Sequence, residues 1–68
     1  MIKLTAHRGI EAAAVHFDAM NAVWAGKLHL ARDNVEFRTN DESRLQATFE
    51  QTVDHYLDTC AAMGRSPG

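Results

Sequence analysis

The stretch NDESRLQATFEQTVDHYLDTCAAMG, residues 40–64, decides the fold. Leu45, Phe49, Val53, Tyr56, Cys60 and Met63 recur in it at intervals of three and four. An α-helix turns once in about 3.6 residues, so these side chains share one stripe. Thr52 lies within the stripe and Leu57 at its edge. Asn40 or Asp41 can accept the free N–H groups of the first turn, and Glu42 favours the positive end of the helix dipole. Gly64 is the expected C-terminal stop, and Pro67 bars continuation. A helix with one apolar stripe must bury it against another layer. The segments upstream have to supply that layer.

Three of them read as strands. In GIEAAAVHFDAM, residues 9–20, Ala13, Val15 and Phe17 fall on one side of an extended chain. Ala12, Ala14 and His16 fall on the other. Asp18 and Asn21 are turn-formers in DAMNA. In AVWAGKLHL, residues 22–30, Trp24, Leu28 and Leu30 share a face with Gly26 between them. Val23, Ala25, Lys27 and His29 share the opposite one. A glycine inside a strand marks a bulge or a close approach, and a helix crossing there would explain it. Asp33-Asn34 suits a turn with positive φ. VEFRT, residues 35–39, alternates with Val35 and Phe37 inward and Glu36 and Arg38 outward. The expected fold is α+β: a three-stranded antiparallel meander with one C-terminal helix packed on one face, in the order β-β-β-α. The helix stripe should meet the face of Trp24, Leu28 and Phe37.

Residues 1–68 read as one unit, near the lower size limit for independent stability. Chains this short usually draw help from disulfides, a metal or an oligomer. Cys60 is the only cysteine, so no disulfide closes within the chain, and a lone thiol fits a reducing, cytoplasmic setting. No segment resembles a signal peptide or a bilayer-spanning run. A net charge of −2 argues against a general nucleic-acid binder, which needs a basic surface to displace counterions.

Few residues suggest chemistry. His7, His16, His29 and His55 are scattered, without the paired spacing of a zinc site. His16 and His29 could approach each other across a hairpin, but further ligands are missing. Ordinary surface histidines are the better reading, and no metal or cofactor is expected. Cys60 lies on the apolar stripe near a helix C-terminus, where a reactive thiolate is disfavoured, so it reads as a packing residue. Tyr56 and Trp24 read as core. Glu50, Asp54 and Asp58 are spaced four apart and form an acidic ridge beside the stripe. Paired carboxylates catalyse only in a cleft that perturbs them, which a helix surface is not. A solvated face is the plain reading. Like charges four apart nonetheless cost helix stability, so the ridge is also a candidate docking surface for a basic partner. No catalytic motif is present, and no enzyme is expected.

Phe37, Leu45, Ala47, Phe49, Val53, Asp54, Tyr56, Leu57, Cys60, Gly64 and Pro67 together resemble the helix signature of the HicB antitoxin family. Upstream, VHFD and VWAGKLHLARDNVEF resemble that family's strands, so the likeness runs from about Gly9 to Pro67. Arg38-Thr39 departs from the family's usual Glu-Gly, and His55 stands at a commonly acidic position. The resemblance implies a partial RNase H-like fold without RNase activity. It also implies a bacterial type II toxin–antitoxin setting, in which the domain blocks HicA, a small basic mRNA-cleaving toxin. Family chains continue beyond the proline into a ribbon-helix-helix operator-binding domain. The stretch here corresponds to the toxin-neutralising half, so no DNA binding by it alone is expected.

A homodimer or higher homo-oligomer is expected too, because one helix leaves the second sheet face open, with Val23, Ala25 and Val15 or Ala14 on it. Two other functions remain open on the sequence: a stand-alone oligomeric HicB-like domain without a toxin, and a small RNA-binding protein. A neighbouring toxin gene separates the first from the antitoxin reading, and an RNA-binding assay tests the second.

Overall fold

The computed structural model describes residues 3–66. Three strands, β1 (Ala12–Asp18), β2 (Val23–Leu28) and β3 (Glu36–Thr39), form one antiparallel sheet in the order β1-β2-β3. A 3-10 turn (Glu42–Arg44) leads into helix α1 (Leu45–Ala62). The chain is therefore an α+β fold of β-β-β-α order, as the periodicities imply. Among the described residues no helix is long and apolar enough to cross a membrane.

The packing centres on a stack that runs from the sheet to the helix. Gly26 pairs with Phe37, and the Phe37 ring lies over the glycine. A Cβ at Gly26 would sit 2.6 Å from the Phe37 Cζ atom. Phe37 then meets Phe49 of α1, ring centroids 5.6 Å apart and tilted, a favoured aromatic geometry. The close approach expected at Gly26 is thus a neighbouring ring and not the helix itself. Ile10, Leu28, Leu45, Val53, Tyr56 and Cys60 complete the buried core.

Two strand expectations change. β1 carries a bulge between Ala13 and His16, where Ala14 adopts φ 54°. Ala14 and Val15 together oppose the single residue Gly26, and an extra residue reverses the phase of everything before it. Ala12 therefore packs toward the core with Val15, while Ala13 faces the open side opposite Lys27. Asp33 and Asn34 are not at positive φ; among the described non-glycine residues only Arg8, Ala14 and Ala22 are.

The C-terminal cap follows the sequence, whereas α1 itself begins after Arg44, which makes no side-chain cap. Asp41 Oδ1 accepts from the Ser43 N–H at 3.0 Å, capping the 3-10 turn that precedes α1. At the other end Gly64 has φ 68°, the Arg65 N–H donates to Cys60 O and the Gly64 N–H to Ala61 O. That pair of bonds is a Schellman cap. Met63, the residue just before that turn, is 64% exposed, so the buried stripe ends at Cys60. Pro67 lies outside the described residues.

The stretch before β1 is structured as well, which the sequence pattern did not indicate. His7 and Ile10 exchange both backbone hydrogen bonds, at 2.9 and 3.0 Å, around Arg8 (φ 53°) and Gly9 (φ 80°). Two central residues at positive φ give the tight turn typical of hairpins. Ile10 enters the core and Leu4 packs against it.

Candidate functional site

The acidic ridge runs along one side of α1. Glu50 and Asp54 are half-buried, and Asp58 is exposed. The ridge is partly occupied by the chain's own N-terminal stretch. Asp54 Oδ1 accepts from Arg8 Nη1 at 3.1 Å and from His7 Nε2 at 3.0 Å. Two turns earlier the Gln46 side-chain amide mimics a strand: it accepts from the Thr5 N–H at 2.9 Å and donates to Thr5 O at 3.0 Å. Gln46 also donates to Glu50 Oε2 at 2.8 Å. The strap formed by residues 3–10 is thus pinned along the helix at Gln46 and Asp54. His7 and Arg8 of the strap partner the middle carboxylate of the ridge, and Asp58 is left the most open to solvent.

The opposite end of α1 has a second polar cluster. Asp33, in the β2–β3 connection, accepts from the Tyr56 hydroxyl at 2.6 Å and from Arg65 Nη2 at 2.9 and 3.0 Å. The Schellman turn is what brings Arg65 back to this position. Tyr56 therefore has a buried ring and a hydrogen-bonded polar tip, the usual arrangement for a core tyrosine.

These contacts set the electrostatics. The Arg8 and His7 hydrogen bonds hold the Asp54 carboxyl below its usual range. Tyr56 and Arg65 do the same for Asp33. Asn21 does so for Asp18, and Ser43 for Asp41. A depressed carboxylate contributes stability that is present above its unfolded pKa of about 3.9 and is lost as pH falls through the folded value. Urea midpoints should therefore hold from neutral pH to about pH 5 and drop steeply below about pH 4. A midpoint that rises on acidification would contradict these contacts. All four carboxyls are lowered, the reverse of what a general acid needs.

The remaining candidates are dispersed. His16 is opposite Ala25, whereas His29 lies beyond the far end of β2, its N–H donating to Glu11 O, so the strands hold the two histidines apart. Among the described residues no three His, Cys, Asp or Glu side chains gather as a metal site would require. Cys60 is a buried free thiol. The open sheet face is charged, not apolar: His16, Asp18, Lys27, Glu36 and Arg38 surround a shallow hollow floored by Ala25. Of the two alternatives for β1, Ala14 is on that face and Val15 is not, since it packs against the core. Exposed apolar area lies instead at Phe17, Met20 and Met63.

Sequence reasoning located the ridge but missed the strap. The one available signal was Arg8-Gly9, a pair suited to a positive-φ turn. No family model, no curated protein and no solved structure matches this chain.

Proposed function

We propose that this chain is a non-enzymatic, HicB-like antitoxin module of a bacterial type II toxin–antitoxin system. On this reading it acts in the cytoplasm, forms a homodimer and blocks a small, basic, HicA-like mRNA-cleaving toxin. One observation carries the reading: the residues of the resemblance hold coherent places in a β-β-β-α fold. Leu45, Phe49, Val53, Tyr56 and Cys60 are the buried stripe of α1, Phe37 stacks on Phe49, and Gly64 is the positive-φ cap. Because those side chains point inward, they support the fold and leave recognition to surface residues. The ridge is the surface suited to a basic toxin. Asp58 is open to it, and a toxin cation reaching Asp54 has to displace Arg8 and His7.

Calorimetric titration with a purified HicA-like toxin tests the proposal. Saturable binding that weakens with salt is expected, since charge complementarity across an interface is screened. Heat of dilution alone, with both proteins folded, would overturn it. Replacing Glu50, Asp54 and Asp58 by Gln, Asn and Asn should preserve the fold and slow association most at low salt. Unchanged association rates at low salt would move the docking surface elsewhere. A mobility-shift assay with this chain alone and its promoter DNA at physiological salt is expected to show no complex.

A further inference from the structure

We propose that β1 pairs with β1 of a second copy of this chain, antiparallel, with the two Phe17 residues facing each other across a two-fold axis. This rests on the homodimer reading above and assigns its interface.

The backbone comes first. Sheet order leaves β1 as an outer strand. The Leu28 N–H bonds toward β3, to Val35 O, and the His29 N–H bonds toward the other side, to Glu11 O. Antiparallel strands alternate bonded and non-bonded pairs. Even-numbered residues of β2 therefore bond toward β3, and odd-numbered ones toward β1. Ala25 with His16 and Val23 with Asp18 are the bonded pairs, and Trp24 with Phe17 is not. The Phe17 N–H and C=O consequently point out of the sheet at its free edge. They are placed to exchange hydrogen bonds with the same groups of a second Phe17.

The side chains agree with that geometry. Phe17 lies on the helix-facing side of the sheet, yet it is 48% exposed, because α1 covers β2 and β3. Its ring leans on Trp24, centroids 5.1 Å apart. Pairing about Phe17 would join two such aromatic pairs into one cluster of four rings. On the opposite face, the same register sets His16 against Asp18 of the second copy, and Asp18 against its His16. The two-fold axis makes that imidazole–carboxylate contact twice. His16 Nδ1 is already 2.8 Å from Ala14 O, which leaves Nε2 as the nitrogen available to the second copy.

The register is also bounded. The bulge at Ala14 bends β1 on one side, and the turn that Asp18 caps through Met20 and Asn21 ends it on the other. Slipped pairings lose the His16–Asp18 contact or run into one of these ends. β3 is the other outer strand, but its Phe37 is buried, so pairing there would bury no comparable aromatic surface. The segment is short, so the interface is smaller than a standard one, and a dissociation constant in the micromolar range is expected.

Sedimentation velocity over the micromolar range tests this, with circular dichroism to check folding. The parent should show a monomer–dimer equilibrium. Phe17→Lys should raise the dissociation constant by about tenfold or more, at unchanged helix content. His16→Asp should also weaken the dimer, by facing two carboxylates, whereas His16→Lys should retain it. A parent that stays monomeric would overturn both this interface and the homodimer reading. A dimeric parent whose Phe17→Lys and His16→Asp variants dissociate no more readily would overturn the interface alone. Should Phe17→Lys fail to fold, the His16 pair decides: weakening by His16→Asp but not by His16→Lys supports the register, and equal effects overturn it.

Discussion

Phe49→Ala should remove most of the stability of this chain. Phe49 has no solvent exposure, and its ring is what joins α1 to Phe37 and through it to Gly26. Truncating a buried phenylalanine costs about 3–5 kcal/mol, from lost transfer energy and the cavity left behind. A chain of 68 residues has about 3–10 kcal/mol in total. Phe49 is, with Leu45 and Val53, among the largest fully buried side chains of the described residues. Thermal melts should show loss of cooperativity or a large fall in Tm. A variant that melts like the parent would refute the stack of Gly26, Phe37 and Phe49.

Gly26→Ala should be costly for the opposite reason. The new methyl would meet Phe37 at 2.6 Å from Cζ and 3.1 Å from Cε1 and Cε2, closer than carbon atoms pack. The ring is buried and has Phe49 on its other side, so it has little room to retreat. Overpacking of this kind costs about 1–3 kcal/mol, although alanine is otherwise no worse than glycine in a strand. Phe37→Leu shortens the ring's reach, so the double variant Gly26→Ala, Phe37→Leu should lose less than the two single losses together. Residues in contact couple in this way, and urea titrations of the four proteins measure it. Strict additivity would place the strain elsewhere.

How far the sequence reached depended on the range of the physical signal. The stripe of α1 from Leu45 to Cys60 and its Gly64 stop are local patterns, and they are found where expected, while Asp41 caps the 3-10 turn ahead of the helix instead of α1 itself. The alternation of β3 was equally clear. β1 was harder to phase, because Ala12, Ala13 and Ala14 differ in nothing that could reveal which one is the extra residue of the bulge. Met63 fits the helical period but is the capping residue just before the Gly64 turn, and it is left exposed. The ridge was legible from spacing alone. Its pairing with Arg8 and His7 was not, because those residues lie at the far end of the chain and only tertiary structure brings them to Asp54. The clamp of Asp33 on Tyr56 and Arg65 is concealed for the same reason.

The antitoxin reading is tested most directly by growth rescue. A HicA-like toxin is induced in a bacterial host with this chain, with its Phe49→Ala variant, or with empty vector. The parent should restore growth and co-purify with the toxin, while Phe49→Ala and empty vector leave growth arrested. Continued arrest with the parent present as soluble, folded protein, and no toxin recovered with it, would contradict the account.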